Sequence, residues 1–259
     1  QRAGDRHCYR AWKVRGKPGK RRPMPPISFL AFGPLDPLDV VALSMLVIAW
    51  VGVGMVIERT GATRLSVTML MIPYRREWMK HAITREPRVF DAMIMSNLRQ
   101  GTAFFASTCM IALGGGFAVI GNIDQLAAVA SDLPVAATPV VVYEIKLLVV
   151  MAFLGNAFLK FVWANRVFGY CGVMMGALPN DPDDPRAGVR ADQAADLSNA
   201  AAKAFNRGLR SVYFALGALA WLLGPLALMA ATAFTLAVLW RREFASATRA
   251  TLLRDLPTE

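Results

Sequence analysis

Apolar positions fall in long blocks along this chain rather than in alternation, and the longest block sets the problem. From Ser211 to Trp240 there is no charged residue, a run suited to lipid rather than to a soluble core. One crossing takes about 20 residues, so the run exceeds an ordinary span. Gly224-Pro225 interrupts it near the middle, where a helix must break or kink. The segment either turns back there as a hairpin or crosses once as a kinked, tilted helix. Arg241, Arg242, Arg249 and Arg254 follow the block, and cations gather on the cytoplasmic side of a membrane, which favours the hairpin. Each arm is then short, about 16–18 residues, and needs bilayer thinning or arginine snorkelling to reach across.

Three earlier blocks predict spans. Val40–Ile57 is apolar and ends at Glu58-Arg59, with Gly52 and Gly54 as small positions for close helix contact. Gly101–Ile120 is the second block, and its Gly114-Gly115-Gly116 run is expected to pack helices together. A phosphate loop would need a preceding strand and a following Lys-Ser/Thr, and neither is present. Pro139–Trp163 is the third and carries Glu144, Lys146, Asn156 and Lys160.

The connecting stretches alternate in charge. Thr60–Gln100 is rich in Lys and Arg and predicts two helical pieces, with Pro73 and Pro87 in their first turns. In the second piece Val89, Phe90, Met93, Ile94 and Leu98 recur at helical spacing, an amphipathic lead-in to the next span. Trp78 among Arg75, Arg76 and Lys80 suits a headgroup-level position, although a basic helix can also bind a partner. Gly121–Thr138 has no Lys or Arg and carries Asp124 and Asp132, so it is expected outside and its neighbours inside. Ala164–Arg210 is read as a second cytoplasmic region, a loop containing Cys171 and the proline-rich Pro179–Gly188, then a helix from about Val189. Asp192, Asp196, Asn199, Lys203, Asn206 and Arg210 share one face of that helix, read as a solvated stripe, while Ala195, Ala202, Phe205 and Leu209 face the bundle.

Composition agrees with this pattern. The chain is 55% hydrophobic and 18% charged, where a soluble domain carries about 25% charge. The net charge of +11 is concentrated in residues 1–23, which hold nine Lys/Arg against one acid, Asp5. Such a tail can attract anionic lipid or nucleic acid, but its Gly/Pro breaks and lack of hydrophobic period make disorder the simpler reading. The chain opens on Gln1 and offers Met24 just ahead of the first span, so the tail is expected to be an upstream extension. No cleavable leader is apparent. The expected architecture is all-α: a polytopic helical membrane protein of four to five transmembrane helices with amphipathic cytoplasmic helices, forming one domain over residues 38–250.

Candidate chemistry is sparse. Cys8, Cys109 and Cys171 form no CxxC pair, and His7 and His81 stand alone, so neither zinc, haem nor a disulfide framework is suggested and no cofactor is expected. No catalytic constellation appears. Ionisable groups at bilayer depth are therefore the candidates. Glu144 and Lys146 are two residues apart and point to different faces. Glu144 is also about 24 Å along the helix from Lys160 and cannot pair with it. Asn156 and Lys160 share a face toward the side where Asn206, Arg207 and Arg210 enter. Two polar clusters follow, an external one at Glu144/Lys146 and a cytoplasmic one at Asn156, Lys160, Asn206, Arg207 and Arg210. Three readings result: an accessory or scaffold protein packing with other membrane proteins, with lipid or with a second copy; a small transporter or channel using Glu144, Lys146 and Asn156; and a membrane enzyme, which has no His/Cys/Asp cluster or nucleophile constellation to support it. Nucleic acid is not expected as a partner.

Several pieces carry a resemblance: RREWM (Arg75–Met79), FFAST (Phe104–Thr108), YEIKLL (Tyr143–Leu148), AFLKFVWANR (Ala157–Arg166), FNRGLRSVYFALGALAW (Phe205–Trp221) and WRREF (Trp240–Phe244). In this order they resemble a membrane family catalogued as domain of unknown function 599, found in bacteria and plants. Tyr143 stands where that family usually has Trp. The resemblance implies a helical membrane fold and adds no mechanism; the membrane expected for this chain is a bacterial inner membrane.

Overall fold

A computed structural model describes residues 35–61, 64–123 and 139–254, and among them it is helical without a strand. The basic tail and most of the acidic loop after Ile120 lie outside the described residues. Helix α1 is Pro37–Ile57, with Pro37 at its first position and Asp39 in its first turn, the placement that suits both the fixed proline φ and the helix dipole.

Helix α2 spans Val67–Thr84 and starts six residues before the expected Pro73. Ser66 is the reason. Its hydroxyl accepts from the Met69 N–H at 3.2 Å and donates to the Ile57 carbonyl at 2.7 Å, so one side chain caps α2 and ties it to the end of α1. Burial of Thr68, Met69 and Leu70 then holds the first turns, and Pro73 sits inside the helix at the loss of one backbone bond. Trp78 is half-buried and donates its indole N–H to Asp91 at 2.7 Å.

Helix α3, Val89–Ile120, is 32 residues long: the lead-in and the span form one helix, which begins two residues after Pro87. Helix α4, Val140–Gly176, has 37 residues, or about 55 Å, well beyond a hydrocarbon layer of about 30 Å. Residues 164–176 are thus helix, not the expected loop. Cys171 is buried there and its thiol donates to the Ala194 carbonyl at 3.3 Å. Helix α5, Pro185–Leu219, starts four residues before Val189, because Asp184 caps it by accepting from the Arg186 N–H at 2.8 Å and Pro185 fills the first position.

A 3₁₀ turn over Ala220–Leu223 ends this arm, and Gly224 at φ 120° takes a backbone conformation that a side chain would strain. Helix α6, Pro225–Phe244, runs back along α5 and α1, and the short α7, Ala247–Leu252, follows. The uncharged segment therefore reverses. Its turn meets the start of α1, where Trp221 bonds Asp39, and its far end meets the start of α2, where Glu243 bonds Thr68.

The molecule thus has two ends. At the turn end Ile120, Val140, Tyr143, Leu147 and Leu222 cluster. At the polar end α2, the first turns of α3, the last part of α4 and the first part of α5 enclose a second core of Met79, Met95, Phe168, Cys171 and small residues such as Ala191 and Ala194. Between them Leu46, Val53, Phe153, Phe214, Trp221 and Leu228 form the main core. Helices α1, α3 and α4 are long and apolar enough to cross a membrane. Their outer faces stay apolar, as Ile48 at 71% and Ile111 at 76% exposure show.

The glycines act elsewhere than expected. A Cβ on Gly52, Gly54, Gly114 or Gly115 would meet nothing within 4 Å, so these four do not bring helices together. Gly116 does, with the Met151 sulfur 3.0 Å from where its Cβ would be. The tightest approach is Gly208, where a Cβ would lie 2.7 Å from the Phe161 ring and so joins α5 to α4. The polar stripe on α5 is solvated only in part: Asp192 and Asp196 are exposed, while the positions further along the helix turn inward. Arg76 of α2 reaches Asp196 at 2.6 Å and Asp192 at 4.0 Å, and Asn199 and Arg210 are buried. It is the contact side toward α2 and α1, with Ala195 and Ala202 buried on the other face as expected.

Candidate functional site

The densest polar arrangement lies where α1, α4 and α5 meet. Gly208 seats α5 against Phe161, which sets Arg207, Arg210 and Ser211 toward the end of α1. Glu58, one residue past α1, takes both arginines. Its carboxylate accepts from the Arg207 Nε at 2.9 and 3.1 Å and again from the Arg207 and Arg210 Nη2 groups. Arg210 is 6% exposed, so Glu58 neutralises a cation that has little water. Burial alone would raise the Glu58 carboxyl, but the hydrogen bonds and charges of the two arginines outweigh it and hold it below the ordinary carboxylate value.

Asn156 on α4 donates to the Ser211 hydroxyl at 2.7 Å, and that hydroxyl donates in turn to the Arg207 carbonyl at 3.2 Å. Lys160 lies one turn further along α4. These groups line a cavity of about 540 Å³ whose other wall is Trp50, Val51 and Met55 of α1. It holds Lys160, Arg207 and Arg210 against Glu58 alone, a basic recess suited to an anion. Gly54 on α1, bare of contacts, leaves room for it.

The expected second cluster of cations and amides is therefore divided. Asn156, Lys160, Arg207 and Arg210 come together, while Asn206 faces away and donates to the Thr68 hydroxyl at 3.2 Å. Thr68 passes both its hydroxyl (3.0 Å) and its backbone N–H (3.1 Å) to Glu243, which locks α2, α5 and α6 together. Glu58 was legible only as the end of a span. The available signal was an acid closing an apolar block in a chain where Arg207 and Arg210, three apart, needed a partner.

At the turn end Glu144 and Lys146 do face different ways. Lys146 is 4% exposed and its ammonium lies 5.6 Å from the Tyr143 ring centre and 5.8 Å from that of Trp221. The opposing charges acting on it are Asp39 and Asp36. Asp39 also accepts from the Trp221 indole at 2.6 Å, so one carboxylate orients the ring that the lysine packs on. Glu144 is half-buried and has no bonded partner among the described residues.

A third polar space, about 870 Å³, opens between α3 and α4 and is lined by Arg88, Asp91, Arg99 and Asn165 among others. Arg88 holds the loop that follows α4 by donating to the Leu178 and Pro179 carbonyls, each at 2.8 Å. Among the described residues no three His, Cys, Asp or Glu side chains stand close enough together to hold a metal ion.

A family model described as "Protein of unknown function, DUF599" matches residues 41–248. The comparisons with curated proteins and with solved structures give no match.

Proposed function

The chain belongs to the DUF599 family, and on that premise we propose that it is an integral membrane protein that acts as an accessory or scaffold for other membrane proteins. In this reading α1, α3, α4 and the two arms of the Gly224 hairpin give five helices crossing or entering the bilayer. The polar end, with Arg75, Arg76 and Lys80 on α2, Arg241 and Arg242 at the end of α6 and Arg249 on α7, is cytoplasmic by the distribution of Lys and Arg. The bilayer is that of a bacterial inner membrane.

The observation that carries the reading is the bareness of α3. Only 6% of its most apolar window is buried, and it packs chiefly on α4, so most of its circumference waits for lipid or for another helix. Phe104, Ile111 and Phe117 stand exposed along it.

Transport through the monomer has less support. Asn156 and Lys146 belong to opposite polar groups, and the intervening α4 residues Leu147–Gly155 are apolar, with Val150 and Phe153 packed into the core with Leu46 and Phe214. A photo-crosslinking residue placed at Ile111 and, separately, at Phe234 on α6 tests the scaffold reading in native membranes. A discrete protein adduct from Ile111 is expected. Lipid adducts alone from both positions would contradict it.

A further inference from the structure

The basic recess does not end at its polar lining. It shares Trp50 and Asn156 with a second cavity of about 330 Å³, lined otherwise by Leu43, Val47, Val149, Ala152 and Phe153. Positions 43, 47 and 50 on α1 and 149, 152 and 156 on α4 follow helical spacing. The second space is therefore a groove along the two helices, leading from the recess toward the turn end. Val47 and Ala152 are exposed in it, so it opens on the apolar exterior. Its lining carries no charged group.

Recess and groove differ in what they can hold. In the recess Glu58 is already taken by two arginines, and Lys160 has no ion-pair partner among the described residues. Arg207 spends its Nε and Nη2 groups on Glu58, which leaves Nη1 for another acceptor. A free anion would satisfy these donors but leave the groove bare. An amphiphile satisfies both, its charge in the recess and its apolar part along the groove.

We infer that recess and groove together bind one anionic phospholipid from the leaflet at the polar end. Its phosphate sits against Lys160 and the outer side of Arg207, and one acyl chain lies between α1 and α4 past Trp50. This rests on the reading that α1 and α4 cross a bilayer.

The test uses the full chain purified in detergent, offered phosphatidylglycerol or phosphatidylcholine with matched acyl chains, with retained lipid counted by native mass spectrometry. Phosphatidylglycerol is expected to be held about tenfold more strongly, and Lys160→Met to lose about fivefold of that, a typical effect of one cation at a lipid headgroup. Lys160→Arg should retain it. Ala152→Trp, which fills the groove from an exposed position, should abolish retention with the recess charges intact. Equal retention of the two lipids, or indifference to both Lys160→Met and Ala152→Trp, overturns the proposal. Displacement by millimolar inorganic phosphate together with indifference to Ala152→Trp assigns the recess to a soluble anion and also overturns it. Carbonate extraction of the source membranes separates the two levels. A chain released by carbonate overturns the bilayer reading and this inference with it, whereas an embedded chain that holds lipids indiscriminately overturns the inference alone.

Discussion

At the scale of single residues, Glu58 carries the most consequence for the least sequence signal. Its two arginines lie 149 and 152 positions away, a separation that no local period reveals, so only the fold shows that the acid ending α1 is the counter-charge of α5. Replacing it by Gln removes the charge and leaves Arg210 buried without an opposite partner. The expected cost is about 3 kcal/mol, the lower end for breaking a buried pair, since Arg207 is half in solvent. The pH dependence has a definite sign. Because the folded carboxyl sits below its ordinary value of 4.5, its stabilisation is complete above about that pH and is lost as pH falls through the folded value. A thermal midpoint in detergent followed from pH 7 to pH 3 should fall in the wild type and fall less in Glu58→Gln. Parallel curves for the two proteins would show that Glu58 is not the stabilising acid. Lys146 illustrates the converse. That a lysine inside an apolar block needs company was legible, but the ring of Trp221 and the carboxylate of Asp39 come from other elements and were not.

At the scale of elements, apolar blocks located α1, α3, α4 and the Gly224 hairpin. Helix α2 and the first part of α5 were legible from proline placement and a polar stripe, and the boundary errors fell at helix ends. Ser66 and Asp184 capped helices earlier than Pro73 and Val189 suggested, because a side-chain oxygen facing a free N–H outweighs a weaker start signal. The stretch from Ala164 to Gly176 looked like a loop because it follows a span, yet burial of Val167, Phe168 and Cys171 against α5 keeps it helical. Glycine counts misled for a related reason: a small residue marks a close contact only if a partner helix arrives there. Gly208 and Gly54 separate the two cases. Gly208→Ala would set a Cβ 2.7 Å from the Phe161 ring, whereas Gly54→Ala would meet nothing within 4 Å. Thermal unfolding in detergent should show Gly208→Ala destabilised by about 1–3 kcal/mol, the usual cost of overpacking, with Gly54→Ala unchanged or slightly stabilised through its better helix propensity. Equal midpoints for the two variants would contradict the packing of α5 on α4 by way of Gly208.

At the scale of the whole molecule, the Gly224 reversal fixes which ends lie together. The turn joins Asp39 and Lys146 at one end, while Glu243, Thr68 and the α7 segment gather at the other. The sequence carried this much through one glycine-proline step and the arginines after Trp240. It could not supply the partition of polar groups, since the recess depends on α5 meeting α4 at Gly208 and the end of α1 at Glu58. If the apolar exterior lies in a bilayer, the reversal places the C-terminus on the same side as α2. The most direct measurement is a pair of fusions after Glu259 expressed in a bacterial host. One is a fluorescent protein that matures only in the cytoplasm, the other a phosphatase active only outside it. Fluorescence without phosphatase activity is expected. An active phosphatase with a dark fluorescent fusion would contradict the placing of α2 and the chain end together on the cytoplasmic side.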